Sequence, residues 1–269
     1  MVTEVFLMHI RREVIPFIGI LVALGIGIGL FLNVPWPTWG FAILGTVYLL
    51  FFFRDPERTP PQDPTAILSG ADGRVLAVTS LMENKYLNAE CIRISIFLSI
   101  FDVHVNRAPI SGHSKFIGFF PGKKLAAFQQ KSSEFNQHNK ILIEGAQKRC
   151  LIAQIVGTIA RRVVYWLDPE IPVPVNAGDR IGMMKFGSRL DIYLPEADVN
   201  VLVKPGDRVR AGETIVAQIK PRSKPTRVCS HLTPRYYLGD HDKTFKPILS
   251  CLANSLYNLH SSQCSLPLK

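Results

Sequence analysis

A serine that directly follows a glycine opens a strand-like segment in the C-terminal half of the chain. Gly187-Ser188 precedes Arg189–Leu194, in which polar and apolar residues alternate until Pro195. Such alternation predicts a half-buried strand. Glycine has no Cβ, so another group can approach the Gly187 carbonyl closely, as an internal serine must do to attack the preceding peptide bond. A Gly-Ser pair by itself, however, is more often an ordinary strand entrance beside a surface serine.

The segment Phe101–Gly112 concentrates polar side chains of four kinds within six positions. On a strand, His104 and Asn106 share one face of the sheet. A lone histidine in such a segment is usually a packed, hydrogen-bonded residue, whereas the clustering makes a catalytic or binding site equally plausible. The four polar residues are Asp102, His104, Asn106 and Arg107.

Two further polar positions precede strand-like segments. Asp72-Gly73 suits a tight turn ahead of Arg74–Val78, which is the ordinary structural role of such a pair. The cluster Asn136-Gln137-His138-Asn139 precedes the apolar run Ile141–Ile143.

The elements that must position these residues are expected to be mainly strands. Cys91–Phe97 alternates as a strand does, whereas Leu151–Leu167 fits a strand, a helix or both. Between Val199 and Ile215, two Gly-containing turns separate short β-rich segments. Their Gly-Asp-x-Val-x-x-Gly-Glu-x-Ile spacing resembles the hammerhead, or barrel-sandwich, fold of biotinyl and lipoyl carrier domains. We therefore expect a mainly β (α+β) domain over residues 59–220.

The N-terminal part of the chain has no charged residue between Val14 and Phe53. Val14–Leu32 is long enough to cross a bilayer core as a helix, and Trp39–Phe53 is a second, shorter apolar run. No small-residue cleavage site follows the first run, which disfavours a signal peptide. Arginines flank both runs, so the pattern predicts a hairpin with both ends in the cytoplasm, either spanning or re-entrant. Residues 1–58 are thus interpreted as a membrane-anchoring hairpin and linker.

Charge and hydropathy point to a lipid surface. The net charge is +10 and the mean hydropathy is +0.16, which together favour an acidic membrane as the partner. No Lys/Arg-rich block is interleaved with aromatic residues, so nucleic acid is the weaker interpretation. Residues 221–269 carry seven Lys/Arg against two Asp and are predicted to be a basic, poorly ordered extension.

The five cysteines have no paired C-x-x-C spacing. Their odd number and scatter argue against a disulfide framework and a structural zinc site, and they favour a reducing compartment. The positions are Cys91, Cys150, Cys229, Cys251 and Cys264.

Taken in order, these motifs resemble those of the short, bacterial-type phosphatidylserine decarboxylases over roughly residues 10–220. Each fragment is weak alone, and the ordered set is highly specific. The fragments are the apolar hairpin ending in Phe51–Arg58, Ala71–Val75, Phe101–Gly112, the cluster Asn136–Asn139, Gly157–Arg162 and Phe186–Arg189.

The resemblance implies a self-processing enzyme. Ser188 would attack the Gly187 carbonyl to give an ester, and β-elimination would then cut the chain into a β subunit (1–187) and an α subunit (188–269). Loss of ammonia would leave a pyruvoyl group at position 188, the prosthetic group in this family, and the resemblance implies no pyridoxal phosphate and no metal. Through a Schiff base, that group would convert phosphatidylserine into phosphatidylethanolamine and CO₂ at the cytoplasmic side of the cell membrane.

The resemblance also implies roles for individual side chains. Asp72 and His104 would form the acid/base pair, since a serine hydroxyl is a poor nucleophile until a base takes its proton. The polar side chains of the two clusters would bind substrate; they are Asn106, Arg107, Asn136 and Asn139.

This chain departs from longer family members at two places. They have a second histidine three positions after the one matched by His104, where this chain has Arg107. The usual asparagine cluster has Glu-Arg where this chain has Gln137-His138. Without the second histidine, either His104 serves both self-cleavage and decarboxylation, or Asp72 acts with less help from a histidine.

Three other functions remain open from the residues alone. Met184-Lys185 followed by Gly206–Glu213 suits a carrier module with a modified lysine. A pyruvoyl decarboxylase of a small soluble amino acid is a second alternative, disfavoured by the apolar hairpin. A non-enzymatic, membrane-anchored β domain is the third.

Overall fold

The computed structural model describes most of the chain up to Lys220. Its described residues are 9–33, 35–123, 125, 132–146, 148–157, 163–185 and 187–220. The predicted basic extension, 221–269, lies outside the described residues. The division of the chain after residues 58 and 220 stays a prediction.

Two apolar helices form the predicted N-terminal hairpin. Helix α1 (Ile15–Leu32) and helix α2 (Pro35–Phe52) have 18 residues each, a length of about 27 Å at 1.5 Å per residue. The apolar side chains along both helices are largely exposed, as expected for helices that face lipid. By length and composition, the segment Arg12–Leu32 can cross a membrane, whereas the apolar stretch of α2 is somewhat shorter.

Small residues let the two helices approach each other. A Cβ on Gly25 would lie 3.0 Å from the Ala42 methyl, and one on Gly45 would lie 2.6 Å from a Leu21 methyl. Such close backbone approach is the usual basis of helix pairing in membranes. A cavity of about 450 Å³ also lies between the helices, lined by Val22, Gly25, Ile26, Trp39, Ala42, Ile43, Thr46 and Val47.

The remaining described elements are almost all strands, which confirms the predicted mainly β fold. One short α-helix, α3 (Ser132–Phe135), lies among them, and the described residues also form two 3-10 helices, Arg12–Val14 and Glu196–Asp198. In chain order the strands are β1 (His9–Ile10), β2 (Arg54–Asp55), β3 (Ala66–Leu68), β4 (Gly73–Glu83), β5 (Ala89–Leu98), β6 (Val105–Arg107), β7 (Gly112–Phe120), β8 (His138–Glu144), β9 (Arg149–Val156), β10 (Val163–Tyr165), β11 (Val173–Val175), β12 (Arg180–Met184), β13 (Ser188–Pro195), β14 (Val199–Val201), β15 (Arg208–Val209) and β16 (Ile215–Ile219).

Four antiparallel sheets are built from these strands. The largest has eight strands in the order β11-β7-β8-β9-β13-β5-β4-β15, and two three-stranded sheets have the orders β10-β12-β6 and β14-β16-β3. The fourth pairs β1 with β2. The ambiguous run Leu151–Leu167 thus resolves into β9 and β10, with residues 158–162 outside the described part.

Strand β13, which begins at Ser188, is buried on both faces, so the predicted half-buried strand is wrong. All eight of its residues are buried. Leu190 and Ile192 belong to the main core, and Tyr193 packs in a second apolar cluster on the other side. The alternation of residue types along β13 therefore gives the strand one apolar and one polar face, and both faces are buried by the rest of the protein.

The segment Arg54–Arg58, expected to be a simple linker, is bound tightly to the β domain. The Asp55 carboxylate is 1% exposed and contacts Arg11 at 2.6 Å, Arg180 at 2.8 Å and Arg107 at 3.4 Å. A buried carboxylate needs such partners because burial without them costs several kcal/mol. The hairpin is consequently fixed against the sheet domain through this carboxylate.

Candidate active site

Gly187 and Ser188 stand where the chain turns into β13. The backbone of Gly187 has a φ of +60°, in the left-handed region that favours glycine. Ser188 is fully buried, and its hydroxyl has no hydrogen-bond partner among the described residues. Since buried polar groups are nearly always paired, an unpartnered hydroxyl beside a left-handed glycine marks this position as a candidate for chemistry.

The sheet register gives Ser188 its neighbours. It pairs with Leu98 of β5 on one side and with Val156 of β9 on the other. Asp72 immediately precedes β4, which pairs with the far side of β5 and has Arg74 opposite Phe97. Asp72 and Ser188 therefore lie at the same end of the sheet, separated by β5, at about 10 Å for two strand spacings.

His104 is fully buried in the segment before β6, in a defined tautomer. Its Nδ1 lies 2.9 Å from the main-chain oxygen of Asp102. A carbonyl oxygen only accepts hydrogen bonds, so Nδ1 carries the proton and donates it. In the neutral ring the lone pair then resides on Nε2, which is buried and has no partner in the described part of the chain.

Burial keeps the His104 ring neutral. It lowers the pKa of His104 to about 4, and the hydrogen bond to the Asp102 carbonyl opposes that shift only in part. The ring of Phe52 lies against the imidazole, with ring centroids 4.3 Å apart. A neutral imidazole with a free Nε2 is the form that can accept a proton at neutral pH.

Asp72 does not pair with His104 through a hydrogen bond in this uncleaved chain. Its Oδ2 accepts from the Arg58 guanidinium at 2.9 Å, and its Oδ1 accepts from the Ala211 amide at 2.7 Å. Burial raises the pKa of Asp72, while Arg58 and the Ala211 amide oppose the rise. The structure thus places Asp72 at the same end of the sheet as Ser188 and bonds it to the segment that follows the hairpin.

Asn106 and Asn139 are joined by Gln154, which belongs to none of the sequence motifs. Gln154 of β9 donates from Nε2 to Oδ1 of Asn106 at 2.8 Å and accepts from Nδ2 of Asn139 at 3.4 Å. All three side chains are buried. The available signal was a single amide within the apolar run Leu151–Val156, because a polar side chain on a buried strand needs partners.

Asn136 lies next to Ser188 through the backbone. Its Nδ2 donates to the main-chain oxygens of Leu125 at 2.7 Å and Val156 at 2.8 Å, and its Oδ1 accepts from the Leu125 amide at 2.8 Å. Val156 is the β9 partner of Ser188. The Asn136 side chain therefore ties a loop to the strand end beside the serine, and its predicted substrate-binding role stays a prediction.

Arg107, which stands at the position of the family's second histidine, faces the segment after the hairpin. Its guanidinium donates to the main-chain oxygens of Gly178 at 2.8 Å and Pro56 at 2.9 Å and contacts Asp55 at 3.4 Å. Arg107 therefore connects the segment that follows the hairpin to the sheet domain. Its predicted role in binding substrate is not tested by them.

The candidate site lies against the end of the hairpin. Arg54 donates to the main-chain oxygen of Phe101 at 2.7 Å, and the Tyr48 hydroxyl lies 3.4 Å from that of Ile100. A Cβ on Gly187 would be 4.0 Å from a methyl of Ile100. The segment before His104 thus separates the apolar helices from Gly187, which places the site close to any membrane that the helices enter.

Lys185, the residue that a carrier module would modify, packs on the hairpin. Its Nζ lies 5.3 Å from the ring centroid of Phe17 and 5.9 Å from that of Phe53. A carrier lysine must instead reach out from an exposed turn. Within the described residues, no group of three or more His, Cys, Asp or Glu side chains could hold a metal ion.

Comparisons with known proteins agree with this arrangement. The family model for phosphatidylserine decarboxylase matches residues 47–217. The phosphatidylserine decarboxylase proenzyme of Desulfotalea psychrophila is 40% identical over 211 residues, covering 78% of this chain and 96% of the relative. That of Carboxydothermus hydrogenoformans is 44% identical over 204 residues, covering 76% and 92%. Because the match spans the hairpin end, both polar clusters and the Gly-Ser turn, the chain belongs to the phosphatidylserine decarboxylase family.

Proposed function

We propose that this chain is a self-processing, pyruvoyl-dependent decarboxylase that converts phosphatidylserine into phosphatidylethanolamine and CO₂. The observation that carries the proposal is the buried Ser188 hydroxyl after a left-handed Gly187, which has no hydrogen-bond partner among the described residues. A buried, neutral His104, whose Nε2 also lacks a partner among those residues, supports it. Membership of the family supplies the reaction class.

Self-cleavage begins with the hydroxyl of Ser188. Its Oγ forms a bond to the Gly187 carbonyl carbon, the π electron pair moves to the carbonyl oxygen, and the Oγ proton passes to Nε2 of His104. The electron pair on the oxygen then re-forms the carbonyl, the bond from that carbon to the Ser188 nitrogen breaks, and the nitrogen takes the proton from His104. An ester is left. A base such as His104 is needed because a serine hydroxyl is a weak nucleophile when protonated.

Elimination then cuts the chain. A base removes the Cα proton of Ser188, the electron pair forms a Cα–Cβ double bond, and the Cβ–Oγ bond breaks to release the Gly187 carboxylate. The resulting enamine tautomerises to an imine, and water replaces its nitrogen, which leaves as ammonia. The products are residues 1–187 and a chain 188–269 that begins with a pyruvoyl group.

The site residues fit such a group. When present, a pyruvoyl carbonyl supplies an electron sink for the pair that a departing carboxylate leaves behind. The strand partners of residue 188 would hold it at the sheet end, and the apolar surroundings of β13 would exclude water. In this proposal His104 moves a proton at Nε2, and Asp72, which is bound by Arg58, supplies a carboxylate at the same end of the sheet as residue 188.

The membrane is the proposed location of the substrate. The exposed apolar faces of α1 and α2 support insertion of the hairpin, and the candidate site adjoins its end. Arg11, Arg12 and Arg54 flank the helices, which favours the cytoplasmic side for the β domain. A lipid substrate gives a reason to hold the enzyme at a bilayer, which a small soluble amino acid does not.

Intact-mass measurement tests the proposal directly. The purified chain should separate into fragments 1–187 and 188–269 under denaturing conditions, with the second blocked to N-terminal sequencing. Ser188→Ala should give a single full-length chain, whereas Ser114→Ala, a matched change at another buried serine, should still be cleaved. Cleavage at residue 187 in the Ser188→Ala chain would refute the mechanism.

A further inference from the structure

Three buried side-chain atoms in the candidate site lack a hydrogen-bond partner among the described residues. They are Oγ of Ser188, Nε2 of His104 and Nδ2 of Asn106. The first two have the roles of nucleophile and base in the proposed cleavage. The third is a hydrogen-bond donor, and a buried donor without an acceptor costs about 1–3 kcal/mol. In the proposed cleavage the Gly187 carbonyl oxygen becomes negatively charged, and it therefore requires a hydrogen-bond donor.

The register brings the Asn106 amide to the face of the sheet that carries Ser188. Gln154 pairs with Leu190, which is two residues after Ser188 on the same strand. Side chains two apart on a strand share a face, so Gln154 and Ser188 are diagonal neighbours at about 7–8 Å. Asn106 is hydrogen-bonded to Gln154 at 2.8 Å and therefore lies over this face.

The amide chain has a direction. Asn139 donates to Gln154, and Gln154 donates to Oδ1 of Asn106. With its oxygen occupied by Gln154, the planar Asn106 amide must present Nδ2 elsewhere. Gly182, the β12 partner of Asn106, leaves room for this contact, because a Cβ there would lie 3.0 Å from Nε2 of Gln154. Hydrogen bonds in such a chain polarise one another and strengthen the last donor.

We propose that Gln154 is a positioning residue for self-cleavage, which holds Asn106 so that its Nδ2 donates to the Gly187 oxygen as that oxygen becomes anionic. The inference rests on the proposed function. When Ser188 Oγ bonds to the carbonyl carbon, the π pair moves to this oxygen and the Oγ proton passes to His104. A fixed donor at an oxyanion stabilises the transition state without reorganisation.

The first test is Gln154→Met, which keeps the volume and removes the hydrogen bonds. Loss of one oxyanion donor lowers rates by about 10²–10³-fold, and loss of its positioning should slow cleavage by about 10- to 100-fold. The matched control is Ile152→Met, a change of similar volume on the same face of β9. The first-order appearance of fragment 1–187 in detergent-purified full-length chain measures the rate. Melting temperatures of both variants in a Ser188→Ala background report any general loss of stability.

The second test uses pH. In Gln154→Glu, a deprotonated carboxylate only accepts, so Asn106 must turn its Nδ2 away from Gly187, whereas a protonated carboxyl can still donate to Oδ1. Burial raises the pKa of such a carboxyl above about 4.3, so the cleavage rate of this variant should fall as pH rises from about 5 to 8. The side chains that hydrogen-bond to Gln154, those of Asn106 and Asn139, do not titrate, and neither does Leu190, its partner on β13. The parent chain and Gln154→Met should therefore show no such fall.

The outcomes separate this inference from the function on which it rests. If the parent chain is cleaved and Gln154→Met matches it, or if Gln154→Glu follows the pH profile of the parent, Gln154 has no positioning role. If only stability changes and the rate does not, its role is packing, and the inference is wrong. If the parent chain stays whole, the proposed function itself fails.

Discussion

The two faces of strand β13 are both buried, but they treat their polar side chains in opposite ways. On one face, Arg189 donates from Nε to Asp191 at 2.7 Å and from Nη2 to Ser95 at 2.6 Å, and Ser133 donates to Asp191 at 2.7 Å. On the other face, the Ser188 hydroxyl has no partner in the part of the chain that the structure describes. The adjacent residues Ser188 and Arg189 thus differ in side-chain hydrogen bonding among the described residues: Arg189 has several partners and Ser188 has none.

The difference separates polar groups that stabilise the fold from a hydroxyl that is the nucleophile under the proposed function. A satisfied buried pair is destabilising to break, because either partner alone becomes an uncompensated charge. An unpartnered hydroxyl already carries its desolvation cost in the folded chain. Local departures from satisfied packing are expected at functional sites, and here the departure coincides with the Gly-Ser turn.

The largest effect is expected at His104, the proposed base for self-cleavage. His104→Ala should slow self-cleavage by about 10²- to 10⁴-fold, the usual contribution of a positioned base. The fraction of intact chain against time, read on denaturing gels, measures it. His138→Ala serves as a control, because that histidine packs on Phe120. Normal processing of His104→Ala would show that His104 is a packed residue only.

On the face of β13 that carries Arg189 and Asp191, a substitution should instead lower the free energy of unfolding. Asp191→Ala leaves the buried Arg189 guanidinium without its carboxylate and should lower the free energy of unfolding by about 3–5 kcal/mol. Denaturant titration in detergent, in a Ser188→Ala background that cannot be cleaved, isolates this effect. An unchanged midpoint would remove the distinction between the two faces.

Stability should also depend on pH through His104. Its folded pKa of about 4 lies below the value of about 6.5 for an exposed histidine, so the unfolded chain takes up a proton first as pH falls. The contribution is therefore complete above about pH 6.5 and is lost between 6.5 and 4, amounting to about 3 kcal/mol. The measurement compares the free energy of unfolding of the Ser188→Ala chain with that of the same chain carrying His104→Gln, as a function of pH. If the difference between them stays constant between about pH 4 and 6.5, His104 is not buried as a neutral ring.

The smallest effect is expected at the serine itself. Replacing a buried, unpartnered hydroxyl with a methyl group removes a desolvation cost, so Ser188→Ala should raise the free energy of unfolding by about 1 kcal/mol. His104→Ala chains with and without this change, compared before cleavage proceeds, provide the measurement. A loss of stability would mean that the hydroxyl is paired in the folded chain.

Much of the architecture could be predicted from local patterns. The uncharged run 14–53 predicted a helical hairpin, and alternation predicted β5, because helix and strand periods depend on neighbouring residues alone. The Gly-Ser turn and the polar segment around His104 were recognisable as motifs for the same reason. Ordered together, they were sufficient to indicate the family.

The sequence by itself did not determine which polar residues have partners. That Asp55 is held by three arginines, that Arg107 faces the hairpin rather than the serine, and that Gln154 links Asn106 to Asn139 depend on contacts between residues far apart in the chain. Hydrogen bonds and ion pairs act over a few ångströms in space, and only the folded chain decides which side chains come that close. The sequence therefore determined most of the segments and indicated the Gly187-Ser188 pair, and the tertiary structure decided which buried polar atoms of the described residues lack a hydrogen-bond partner.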